Sequence, residues 1–176
     1  SYPAKYGEVH PSNEQGMRVY SDDVAFVVLE KSVPNIAPAK IGRMGDAPKS
    51  DASRDAGTPS AATDAGSSND CDLKVIGFGQ TTEGQKATSI TPNKRSVEMC
   101  RVAATNAGFV SVKNAEASTC YGDSGGPLLR KGTHTLYGVL SGSKTIGCIK
   151  GRVNDYVDLS LQATFLRRID TALAKY

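Results

Sequence analysis

The chain has 176 residues, 39% of them hydrophobic, and a formal net charge of +3. That is enough apolar material for one domain with a core or two small ones, and too slight a basic excess for a nucleic-acid partner. No run approaches the roughly 18 apolar residues that span a membrane. The first residue is Ser1 rather than Met, so the lack of a leader at that point says little about export. The short basic pairs Lys94-Arg95 and Arg167-Arg168 read as solvated surface.

Residues 1–22 are polar and turn-rich. Val24-Ala25-Phe26-Val27-Val28-Leu29 follows as a continuous apolar run. It is too short for a free-standing helix and rich in β-branched types, which predicts a buried strand. Residues 46–70 contain no Val, Ile, Leu, Met or aromatic residue, and Asp-Ala recurs at Asp46, Asp51, Asp55 and Asp64. Such a segment cannot bury enough apolar surface to offset its ordering entropy, which predicts a disordered linker. Its aspartates lack the ligand spacing of a calcium loop. The expected organisation is therefore 1–45, the linker 46–70, and 71–176.

Beyond the linker, short apolar runs recur between Gly, Asn and Ser. They are Val75-Ile76-Gly77-Phe78-Gly79, the loosely alternating Val97, Met99 and Val102, Pro127-Leu128-Leu129, Leu136 to Leu140, and Tyr156-Val157-Asp158-Leu159. This pattern predicts an all-β barrel or sandwich. Phe165, Leu166, Ile169 and Leu173 recur at helical spacing, predicting a docked terminal helix. The four cysteines, Cys71, Cys100, Cys120 and Cys148, form no CxxC pair and lie far from His10 and His134. That argues against a structural zinc site and for two disulfides in an oxidising compartment, with three pairings open.

One stretch carries chemistry: Cys120-Tyr121-Gly122-Asp123-Ser124-Gly125-Gly126-Pro127-Leu128. A serine among three glycines sits on a backbone free to adopt tight or positive-φ turns. Successive N–H groups in such a turn can converge on one point. A hydroxyl beside converging N–H groups is what acyl transfer requires: the hydroxyl attacks a carbonyl and the N–H groups hold the oxygen as it becomes negative. A bare Gly-x-Ser-Gly-Gly is more often a connecting turn, and the Gly-Lys-Ser/Thr ending of a phosphate loop is missing.

The nine-residue string resembles the nucleophile loop of the chymotrypsin/trypsin family of serine proteases. Further segments follow in the family's order: Asp23-Val24-Ala25-Phe26, Gly77-Phe78-Gly79-Gln80-Thr81, Gly138 to Ser143 with Gly147-Cys148, and Tyr156 to Leu159 with the last helix. The resemblance, to a secreted homologue of bacterial type, implies a two-barrel trypsin-like fold with a C-terminal helix, the first barrel incomplete. It implies serine endopeptidase activity on polypeptide substrates, with no cofactor and no metal.

By the same resemblance Ser124 is the nucleophile, and the N–H groups of Gly122 and Ser124 form the oxyanion hole. Asp23, selected over Asp22 by its spacing to Val24-Ala25, orients the general-base histidine. Asp123 is the carboxylate that pairs with a new N-terminus after activation, but Ser1-Tyr2-Pro3 does not resemble such an N-terminus, and no partner for Asp123 is identifiable. Ser118 falls at the floor of the specificity pocket, with Ser141, Gly142 and Ser143 along one side. A neutral floor disfavours basic P1 residues and favours small or medium apolar ones, unless Asp155 turns inward. Cys120 pairs with Cys148, which leaves Cys71 for Cys100, a pairing that matches no usual family bridge cleanly.

The family's histidine segment has no counterpart here. His10 reads as an ordinary surface histidine and His134 as part of a hairpin turn. The expectation is an N-terminally incomplete, nearly inactive chain, a truncated form of an active enzyme whose base lies upstream; a competing explanation is one product of a cleaved enzyme, with a separate N-terminal segment carrying the histidine. A proteinaceous inhibitor is a further possible partner. The alternative is an inactive, protease-like binding protein.

Overall fold

The computed structural model describes residues 2–11, 20–43, 71–81, 94–104, 107–143, 145 and 147–175. The expected linker 46–70 lies outside them. Among the described residues the chain folds as nine strands and one α-helix. The strands are β1 (Ala4–Val9), β2 (Ala25–Leu29), β3 (Lys40–Ile41), β4 (Leu73–Gly77), β5 (Arg95–Val102), β6 (Phe109–Lys113), β7 (Pro127–Arg130), β8 (Thr135–Gly142) and β9 (Asn154–Asp158). The helix is α1 (Ala163–Lys175).

Six strands close on themselves in the order β8-β7-β4-β5-β6-β9, because β9 pairs back to β8. Closure removes the free edges that an open sheet would present. The interior follows from period-2 alternation: Leu73 and Val75 from β4, Val110 and Val112 from β6, with Met99, Leu128, Tyr137, Leu140 and Tyr156 from the others. Cys71–Cys100 clamps the entry of β4 to β5, and Cys120–Cys148 joins the segments before β7 and before β9. β3 adds to the outside of β8 in parallel.

β1 and β2 form a separate two-stranded antiparallel sheet. The expectation of a buried strand at Val24–Leu29 fails in a specific way. Val24 and Val28 are buried, whereas Val27 is 58% and Leu29 37% exposed. Among the described residues no layer covers the alternate residues, so the run is half-buried despite its unbroken hydrophobicity. β1 contradicts the reading of residues 1–22 as turn-rich only. It went unseen because its inward positions are the half-buried Tyr6 and Glu8, which do not register as an apolar alternation.

A second apolar cluster joins this hairpin to the barrel and the helix: Val24, Phe109, Val157, Leu159 and Phe165. The helix packs through Phe165 and Ala172, while Leu173 is 59% exposed. Ala172 takes the inward position on the turn where Leu173 was expected. Arg168 Nη1 also reaches Glu8 Oε1 on β1 at 2.6 Å.

Leu128 is fully buried and ends the nucleophile-like string. We expect Leu128→Ala to lower unfolding stability by about 2–5 kcal/mol, the usual cost of an unfilled core cavity, read from urea denaturation.

Candidate active site

Asp23 follows a 3₁₀ turn (Tyr20–Asp22). Gln162, buried at the start of α1, anchors that turn by donating to Ser21 O at 2.9 Å and Asp22 Oδ1 at 3.3 Å. The two adjacent aspartates thereby acquire different surroundings. Asp22 faces Gln162 and His10, whose Nδ1 lies 3.8 Å away. Asp23 faces the barrel, where its Oδ2 accepts the Ser141 hydroxyl at 2.7 Å. Ser141 sits where the β8–β9 register shifts, between Leu140 opposite Tyr156 and Gly142 opposite Asp155. The bulge adds one residue to β8 and turns that side chain out of the ladder.

The same strand holds the serine loop. Gly125 N donates to Leu140 O and Leu140 N to Gly126 O, both at 2.9 Å. Asp123 N and Gly126 N are also engaged within the fold, by Cys120 O and Asp123 O. The N–H groups of Gly122 and Ser124 donate to no backbone carbonyl among the described residues. Gly122 has φ +89°, a conformation that favours glycine. Ser124 itself is exposed.

Asp123, for which the sequence offered no partner, has two. Its Oδ1 accepts Gly79 N at 2.7 Å and its Oδ2 accepts Cys120 N at 2.8 Å. A side chain at Gly79 would collide with this carboxylate and with Tyr121 O, which explains the glycine. The carboxylate thus ties the turn after β4 to the start of the serine loop.

Ser124, Gly142 and Ser143 line one cavity of about 200 Å³, together with Thr119, Thr145, Gly147 and Arg152. Ser118 is not among its lining residues. It contacts a neighbouring cavity of about 410 Å³, and its hydroxyl donates to Thr119 O and Asn154 Oδ1. Asp155 does not turn inward: its buried carboxylate accepts the Ser111 hydroxyl at 2.6 Å. Asn154, fully buried, takes the inward position and also accepts the Thr119 hydroxyl at 2.6 Å.

Neither histidine meets Ser124. His134 lies at the opposite end of β8 from Ser141, roughly 20 Å away at strand spacing. The His10 ring packs against Phe165 with centroids 5.0 Å apart, so it is a half-buried packing residue rather than the expected surface one. Arg152 and Asn154 were missed by sequence reasoning. Nothing in Gly151-Arg152-Val153-Asn154 marks them before β9 is placed.

Two ionisable groups behind this site are perturbed. Burial lowers the Arg152 guanidinium below its ordinary value, opposed by Tyr121, Asp123 and Tyr156. Burial raises the Tyr156 phenol far above its ordinary value; the Asp123 charge adds to this and Arg152 opposes it. A raised folded-state value means that above pH ~10 the unfolded chain releases this proton while the folded chain keeps it. Tyr156 therefore contributes stability that is present below pH ~10 and lost as pH rises beyond it. In an alkaline spectrophotometric titration, Tyr156 should ionise only as the protein unfolds, and Tyr156→Phe should remove one tyrosine's worth of that late step.

The sequence profile described as Trypsin matches residues 5–162. No curated relative matches the sequence. Among solved structures, neuropsin, a serine protease expressed in mouse brain, superposes with a TM-score of 0.67 at 19% identity, covering 96% of this chain and 71% of its own. A mutant of human heparin binding protein gives 0.64 at 17% identity, covering 98% and 66%. A scabies mite inactivated protease paralogue gives 0.62 at 15%, covering 97% and 68%. The chain thus spans about two thirds of each neighbour's length, and the profile match over nearly all of its own length establishes that it belongs to the trypsin family.

Proposed function

We propose that the protein is a secreted serine endopeptidase acting through Ser124. The Ser124 hydroxyl attacks the scissile carbonyl and forms a C–O bond. Its proton passes to an imidazole and then to the leaving amine as the C–N bond breaks. Water hydrolyses the resulting acyl-enzyme. The N–H groups of Gly122 and Ser124 hold the oxyanion, and Asp23 orients the imidazole and stabilises its charged form. The observation that supports this most is the 2.7 Å bond from Ser141 to Asp23. It joins the carboxylate to the strand that also fastens the serine loop, so both groups share one rigid support.

The imidazole belongs to neither His10 nor His134. Under this reading it comes from protein outside these 176 residues, and the isolated chain is nearly inactive. The Ser124 cavity, with no carboxylate in its lining among the described residues, supports a preference for non-basic P1 residues, P1 being the residue whose carbonyl is attacked. Two disulfides support an oxidising compartment. Polypeptides are the substrates, and a proteinaceous inhibitor occupying the same cleft is a further expected partner.

A second reading, a protease-like binding protein without catalysis, is favoured by the position of the two histidines. The name of one neighbour, an inactivated protease paralogue, is in keeping with it. Peptide hydrolysis separates the two. The protein expressed from its own gene should cleave unstructured polypeptides, with an initial burst of released amine-side product. Ser124→Ala should abolish that burst, and Asp23→Asn should reduce turnover by about 10⁴-fold. Absence of hydrolysis in a folded preparation would contradict the enzyme reading and leave the binding protein.

A further inference from the structure

Among the described residues the lining of the Ser124 cavity contains one charged side chain, and it is a cation. Arg152 is half-buried and shares the cavity with Ser124, Gly142 and Ser143. Its hydrogen bonds run to neutral acceptors alone. Nη1 donates to Thr145 O at 3.0 Å and to Gly147 O. Nη2 donates to Thr119 O at 2.8 Å, and Nε to Asn154 Oδ1 at 3.2 Å. No carboxylate among the described residues forms an ion pair with it. The nearby Asp123 is occupied by Gly79 N and Cys120 N.

These contacts fix the guanidinium in place without neutralising it. A guanidinium keeps its proton at any physiological pH, and the Asp123 charge that acts on it does so without a direct ion pair, so the cost of withdrawing this cation from water is only partly offset. Its weakest contact is the 3.4 Å approach of Nη2 to Thr119 Oγ1. That hydroxyl already donates to Asn154 at 2.6 Å, so an incoming carboxylate can take the Nη2 hydrogen without stripping a good bond. Ser143 and Thr145 also line the cavity, the Ser143 hydroxyl donating to Val153 O at 2.7 Å.

We propose that the Ser124 cavity is a P1 subsite for an acidic side chain, glutamate or aspartate, with the Arg152 guanidinium as its counter-charge. This rests on the endopeptidase reading above and narrows its non-basic P1 preference to an anionic one. A small apolar P1 residue would leave the cation without a direct ion-pair partner, and lysine or arginine would be repelled by it.

The test uses the protein expressed from its own gene and peptides that differ only at P1: Glu, Gln, Ala and Lys. The expected kcat/KM for Glu exceeds that for Gln by roughly 10- to 100-fold, the usual range for one charge-assisted hydrogen bond. The Glu/Gln ratio should fall towards one as pH drops through about 4, where the substrate carboxyl takes up its proton. Arg152→Lys should keep the preference for Glu, and Arg152→Gln should lose it. If Arg152→Gln fails to fold, the wild-type ratio and its pH dependence still decide. Cleavage in which Glu is no better than Gln or Ala overturns the acidic subsite and leaves the endopeptidase intact. Cleavage of none of the four, or of any other polypeptide, by folded protein overturns the endopeptidase reading and the subsite with it.

Discussion

Strand β8 is the constraint on which the rest of the molecule depends. It is hydrogen-bonded on both edges, to β7 and to β9, and that double pairing closes the barrel. A strand so fixed cannot move to accommodate a loop, so loops must accommodate it. Leu140 of β8 exchanges two hydrogen bonds with the glycines after Ser124, which sets the height of that serine above the barrel. One residue on, the bulge turns Ser141 to Asp23, and Gly142 follows along the wall of the Ser124 cavity. Three consecutive residues therefore fasten the serine loop, the aspartate and the cavity to a single rigid element.

A second constraint acts beside the first. The Asp123 carboxylate is held by two N–H groups from segments remote in sequence, Gly79 and Cys120. Hydrogen bonds to an ionised carboxylate are stronger than neutral ones, and here they bring the turn after β4 against the serine loop. Behind them, Tyr156 remains protonated in the barrel core beside Arg152. The chemistry proposed at Ser124 thus sits on a bed of hydrogen-bonded polar groups, with the Arg152 guanidinium held by neutral acceptors and no ion pair to it among the described residues.

Much of this was legible in the sequence, for definite reasons. The serine loop is local: nine consecutive residues carry the glycines, the hydroxyl and the carboxylate, so order along the chain reports order in space. The terminal helix and five of the six barrel strands were legible through their apolar runs. What escaped depended on layers and register. The run Val24–Leu29 looked buried because unbroken hydrophobicity does not reveal that, among the described residues, one face is exposed. β6 and β1 gave no clear signal, one for want of a recognised motif and the other because its inward positions are Tyr6 and Glu8. At the pocket, a one-residue shift decides which side chain points in. Asp155 pairs outward with Ser111, and Asn154 and Arg152 take the inner positions, a distinction that exists only once the β8 bulge is known.

The account stands or falls on the Ser124 hydroxyl being an activated nucleophile, and covalent labelling measures that most directly. The protein expressed from its own gene and the 176-residue chain should be treated side by side with a fluorophosphonate, and the adduct located by peptide mass mapping. The account predicts rapid modification of Ser124 in the former and nearly none in the latter, which lacks an imidazole within reach. Failure of a folded, processed preparation from the parent gene to react at Ser124 would contradict it.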